Sequence, residues 1–133
     1  MADTVTSQTI QDGERVAVLK FTNVSDGTGE SAVKKVDVSA LTTNSAGESC
    51  TSVSIARIYW ACVGMRVHIE FDDSTNVLAM QLPADSTGDE YYDLFSGIPN
   101  NAGSGVTGDI DFTTVGHSSG DAYSIILVLN KNY

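Results

Sequence analysis

"MRVHIEF", residues 65–71, decides the fold class. Met65, Val67, Ile69 and Phe71 fall on one side of an extended chain, and Arg66, His68 and Glu70 on the other. Strict alternation of this kind marks a strand with one buried face. "DDSTN" (72–76) follows with turn chemistry, and "NVLAMQLP" (76–83) returns with Leu78, Met80 and Leu82 on one face. The two runs predict a hairpin over residues 65–82. Pro83 cannot donate to a ladder, so it ends the second strand or places it at a sheet edge.

The same signal recurs along the chain. "GDIDFTTV" (108–115) puts Ile110, Phe112 and Thr114 on one face and Asp109, Asp111 and Thr113 on the other. "GHSSGD" (116–121) is a turn, and "AYSIILVLN" (122–130) sets Tyr123, Ile125, Leu127 and Leu129 against Ile126 and Val128. Residues 108–130 therefore predict a second hairpin. Its last strand is apolar on both faces, so it lies centrally between layers or under a partner. "ERVAVLKFTN" (14–23) and "TSVSIARIYWAC" (51–62) are strand-like, and the valines of "SAVKKVDVSAL" (31–41) favour strand over helix. Trp60, the only tryptophan, belongs to the core or to a subunit contact. About seven to nine short strands and no long helix predict one all-β domain over residues 1–133. The expected architecture is an antiparallel β-sandwich or a jelly-roll-like barrel, with the sandwich favoured because hairpins need only short turns.

Composition narrows the function classes. A chain of 133 residues can bury a core without staples. Its net charge of -10 and its single adjacent basic pair, Lys34-Lys35, argue against direct nucleic-acid binding. The acidity favours solubility and suits a basic protein surface. "MADTVTSQTI" (1–10) carries an acid and no apolar h-region, and no run approaches a membrane span, so no membrane association and synthesis in a cytoplasm are expected. Cys50 and Cys62 are then expected reduced, without excluding a bond between them.

Chemical motifs are sparse. The glycine-rich "GIPNNAGSGVTGDIDFTTVG" (97–116) lacks a lysine and leads into a strand, whereas a phosphate cradle needs a following helix. His117, Ser118, Ser119 and Asp121 have the residue types of a triad but share one turn. Cys50, Cys62, His68 and His117 match no compact zinc spacing. Asp72-Asp73, "ADSTGDE" (84–90) and the pair Asp109/Asp111 offer hard oxygens for calcium, but none forms an EF-hand loop, and solvated turns account for them more simply. No catalytic residue and no cofactor is expected.

One segment stands out. Tyr91, Tyr92, Leu94, Phe95 and Ile98 crowd into eight positions among turn residues, followed by Asn100 and Asn101. Such a loop caps the core, binds sugar on its aromatic faces, or forms a protein interface, where aromatics bury area at low entropy cost. Residues 91–106 are expected to form the contact surface, with Tyr91, Tyr92, Leu94, Phe95, Ile98, Asn100 and Asn101 as its candidates.

"ESAVKKVDVSAL" (30–41), the strand around Trp60, and "GIPNNAGSGVTGDIDFTTVGHSSGDAYSIILVLNK" (97–131) resemble a family of small virion structural proteins of marine tailed phages. The resemblance extends from about residue 2 to the C-terminus and is most specific in "NNAGSGVTGDI" (100–110) and the turn of residues 113–125. It implies a late structural product on the outer capsid surface, a decoration or cement protein docked on the major capsid protein. A homo-oligomer is expected from the two-sided apolar strand and the aromatic loop, with a trimer preferred from the capsid setting. A receptor- or glycan-binding module of a tail, knob or fibre is equally in keeping with the family.

Overall fold

A computed structural model describes residues 3–92, 97–103 and 105–133. Among them nine strands run in chain order: β1 (Thr4–Asp12), β2 (Val16–Val24), β3 (Val33–Val36), β4 (Ser52–Val63), β5 (Arg66–Phe71), β6 (Val77–Leu82), β7 (Ser86–Tyr91), β8 (Ile110–Val115) and β9 (Ala122–Asn132). They form two antiparallel sheets, β1-β2-β9-β4-β7 and β3-β8-β5-β6, packed as the expected all-β sandwich. The run 31–41 is strand only over β3 and then makes one 3-10 turn, Val38–Ala40.

The core lies between the sheets. Val53, Ile55, Ile58, Ile125, Leu127 and Leu129 from the five-stranded sheet meet Val67, Ile69, Phe71, Ile110 and Phe112 from the other, all fully buried. Phe112 stands edge-on to Phe21 at 5.3 Å and to Tyr123 at 5.8 Å, tying β8 to β2 and β9.

The hairpin of residues 65–82 forms as β5 and β6. Met65, Val67, Ile69 and Phe71 are buried on one face, as the alternation predicts. Leu78 departs from it. A bulge between β5 and β6 pairs Ile69 with Met80 but Glu70 with Leu78, so Leu78 turns outward and is exposed. Pro83 follows β6, which is an edge strand.

The expected hairpin over 108–130 does not form. β8 pairs with β3 and β5, whereas β9 pairs with β2 and β4 in the opposite sheet. The turn at 116–121 carries the chain across the sandwich, because each strand is central and already has two neighbours. The two apolar faces of β9 have different causes. Tyr123, Ile125, Leu127 and Leu129 are buried in the core, while Ile126 and Val128 lie half-exposed on the outside of the sheet.

Two strands fall where no strand was expected, β1 in "MADTVTSQTI" and β7 in the acidic stretch 84–90. β7 is held by its ladder to β4, from Arg57↔Tyr91 to Cys62↔Ser86. Gly88 lets β7 lie flat over the Trp60 ring, where a Cβ would come within 2.3 Å of the indole. Trp60 is thus a partly buried core residue beside the edge strand β7, with its indole N–H donating to Ser86 Oγ at 3.0 Å.

Candidate functional site

The outer face of the five-stranded sheet carries the most pronounced side-chain cluster. It exists because of a bulge in β4. Val53 and Ile55 face the core, the ladder to β9 then slips between Ile55 and Arg57, and Ile58 and Cys62 face the core after it. Arg57, Tyr59, Ala61 and Val63 are thereby turned outward. Across from them β7 presents Tyr91 opposite Arg57 and Asp89 opposite Tyr59. On the other flank β9 sets Val128 beside Arg57 and Ile126 beside Tyr59. Val18 and Lys20 of β2 extend the same two rows.

Arg57 organises the cluster. Its Nε and Nη2 donate to Asp89 Oδ1 and Oδ2 at 2.7 and 2.5 Å, a two-pronged fit of guanidinium to carboxylate. The same guanidinium lies 5.3 Å from the Tyr59 ring centroid and 5.4 Å from that of Tyr91. The hydrogen bonds to Asp89 raise the Arg57 pKa, and those from Arg57 lower that of Asp89, so both stay charged across the working pH range. Tyr59 is 50% exposed and Tyr91 60%, although each is oriented by the cation between them. Two pre-oriented rings, an ion pair and a half-exposed aliphatic strip form a surface suited to flat, mixed-polarity contact.

The expected contact residues separate. Tyr91 joins this cluster. Tyr92 is half-buried and its hydroxyl reaches Met80 Sδ at 3.9 Å, against the opposite sheet. Ile98 makes an isolated antiparallel bridge to Ile55 and packs on the core. Asn100 accepts from Ala102 N at 2.9 Å and lines a cavity of about 280 Å³ with Thr51, Ser52, Val106 and Thr107, and Asn101 is exposed. Leu94 and Phe95 lie outside the described residues. Arg57, Tyr59 and Asp89 were not singled out in the sequence. Arg57 and Tyr59 do show the i, i+2 spacing of one strand face, but the partnership with Asp89 exists only through the β4–β7 register.

The remaining candidates are tied into the scaffold. Lys34 pairs with Asp109 at 2.9 Å and Lys35 with Glu30, so the basic pair is committed internally. Within 116–121, Ser118 N donates to Asp121 Oδ2 at 2.8 Å and His117 Nδ1 lies 3.3 Å from Thr114 Oγ1. His68 meets Gln81 Oε1 at 2.9 Å on the polar face of β5. Cys50 and Cys62 are free and buried, and burial pushes the Cys62 thiol up to about 11. Among the described residues no three His, Cys, Asp or Glu side chains converge as metal ligands.

Asp72 and Asp111 do come together. Asp111 is buried, with Oδ2 accepting from Asn76 Nδ2 at 2.9 Å and, among the described residues, no donor to Oδ1. Burial, followed by the neighbouring Asp72 carboxyl, raises its pKa to about 6, while Thr107 Oγ1 donates to Asp72 at 2.6 Å and lowers the Asp72 value.

No protein-family model and no curated protein matches the chain. Two solved structures are similar to it. A cupin superfamily protein from Desulfitobacterium hafniense DCB-2 aligns at 13% identity with a TM-score of 0.37, covering 100% of this chain and 82% of that one. A mutant of a family 29 carbohydrate-binding module aligns at 14% identity with a TM-score of 0.41, covering 98% of this chain and 76% of that one.

Proposed function

We propose that the chain is a virion structural module that docks on the major capsid protein through the open face of its five-stranded sheet, as a decoration or cement layer on the outer capsid surface. The docking face is supported by one observation: Tyr59 and Tyr91 stand exposed on either side of Arg57, itself clamped to Asp89. Tyrosine and arginine dominate interface hot spots, and rings already held in place lose little entropy on docking. The capsid setting rests on the sequence resemblance, and the net charge of -10 suits a basic lattice surface. The role involves no catalytic step and no cofactor. Co-sedimentation of purified protein with undecorated heads tests it. Tyr59→Ala and Tyr91→Ala each should weaken binding about 30-fold, the equivalent of a hot spot of about 2 kcal/mol, with the fold unchanged. Binding that survives both substitutions defeats this docking face.

The paired rings also support a second reading, a receptor- or glycan-binding module of a tail, knob or fibre. Aromatic faces beside an ion pair can stack on a pyranose ring and hydrogen-bond its hydroxyls. A glycan-array signal lost in Tyr59→Ala, without binding to heads, favours that reading.

A further inference from the structure

We propose that β1 pairs edge to edge, antiparallel, with β1 of a second copy of this chain. Among the described residues β1 has one neighbour, β2, and its other side is a sheet edge. An edge strand presents a row of unsatisfied backbone N–H and C=O groups. Thr4–Gln11 are also exposed on both faces. Val5, Ser7 and Thr9 face the same way as the buried Asn23, Phe21 and Leu19 opposite them, yet no described residue covers them. The cause is a difference in width, five strands against four, which leaves β1 projecting beyond the sandwich.

The other edges carry the usual protections against pairing. β7 holds Gly88, Asp89 and Glu90, β3 is four residues long and carries Lys34 and Lys35, and β6 runs into Pro83. β1 is nine residues long and has no charge and no proline from Thr4 to Gln11; its one irregularity is a bulge near its end, between Thr9 and Gln11.

Charge selects the occupant. Two copies at -10 each repel wherever their acids face one another. The neutral run Thr4–Gln11 is where they can touch without that cost. The acids at its two ends are already engaged. Asp3 accepts from Asn23, Asp26 N and Thr28, and Asp12 from Lys131. A basic partner would be steered to acidic surface instead. Antiparallel pairing about a two-fold axis is self-complementary, because the same donors and acceptors recur on both strands. Thr4, Thr6 and Thr9 add β-branched contacts across the new ladder.

The pairing would fuse two five-stranded sheets into one of ten, with both Tyr59–Arg57–Tyr91 clusters on the same side. That consequence is independent of what the clusters bind. The pairing is two-fold, unlike the trimer that the capsid setting led us to expect.

Sedimentation equilibrium of the purified chain, without particles, tests it. Wild type should be a dimer at tens of micromolar. Ser7→Lys/Thr9→Lys, which sets like charges on the paired strands, should be a monomer with its melting temperature little changed. Hydrogen exchange of wild type supplies a readout free of any substitution: β1 amides should gain protection as concentration rises. A wild-type monomer at high micromolar concentration overturns the proposal. So does an oligomer that the double variant leaves intact, or β1 amides that exchange equally fast at all concentrations.

Discussion

Tyr123 donates its hydroxyl to Glu30 Oε1 at 2.6 Å inside the sandwich. Glu30 also accepts from Asn23 Nδ2 at 3.0 Å and pairs with the buried ammonium of Lys35. A carboxylate this deep is tolerable because three donors satisfy it. Tyr123→Phe removes one of them and should lower stability by about 1.5–3 kcal/mol. Lys35→Met leaves the charge without a cation and should cost about 3–5 kcal/mol. Lys35→Met/Glu30→Gln should recover part of that loss. Urea unfolding at constant m reads all three, and equal losses in the single and double Lys35 variants would refute the pairing.

Asp111 should make stability depend on pH. Its pKa is raised to about 6, so the folded chain holds this proton at pH values where the unfolded chain has released it. Stability from this group therefore falls as pH rises from about 4 through 6 and is level above. The groups around it are Asp72 in the β5–β6 turn, Glu70 on β5, Asn76, and Lys34 on β3, which is engaged by Asp109. Asp111→Asn supplies a donor and no charge. It should raise the melting temperature by several degrees at pH 7.5 and far less at pH 4.5. Equal shifts at both pH values would show that the carboxyl pair is not responsible.

Lys131 closes the far end of the sandwich. Its fully buried ammonium donates to Asp12 Oδ1 at 2.9 Å and to the carbonyls of Gly13 and Thr42, both at 2.8 Å. Lys131→Met abandons a carboxylate and two carbonyls at once. A loss of about 3–5 kcal/mol is expected in denaturant unfolding, with a larger share regained in Lys131→Met/Asp12→Asn than two independent sites would give.

Gly88→Ala should report on Trp60 alone. The new methyl would stand 2.3 Å from the indole, so the ring must move and its 3.0 Å hydrogen bond to Ser86 must break. With a single tryptophan in the chain, the emission maximum should shift to the red. An unchanged spectrum would place the ring elsewhere.

The parts legible in the sequence were those with one wet and one dry face. β5 declared itself because every second residue is buried. β1 could not, since a strand exposed on both sides has no reason to alternate. β7 reads as a turn because its sequence is acidic and glycine-bearing, and only its ladder to β4 makes it a strand. The hairpin expected over 108–130 failed because alternation reports which face is buried but not which strand lies alongside. The binding cluster was half legible. Tyr91 stands out as an aromatic among turn residues, while Arg57 and Asp89 meet across 32 positions of chain.

Ala56, the extra residue of the β4 bulge, acts as a spacer with an evolutionary reading. Pairing it into a regular ladder would exchange the two sides of the strand beyond it, sending Arg57 and Tyr59 inward and Ile58, Trp60 and Cys62 outward, whereas deleting it would leave both sides as they are. A one-codon insertion at this point can therefore be absorbed as a bulge, so that the strand lengthens while its buried and displayed positions keep their sides. The same strand can thus change length without losing its core face, a tolerance that a flat, fully paired ladder does not offer.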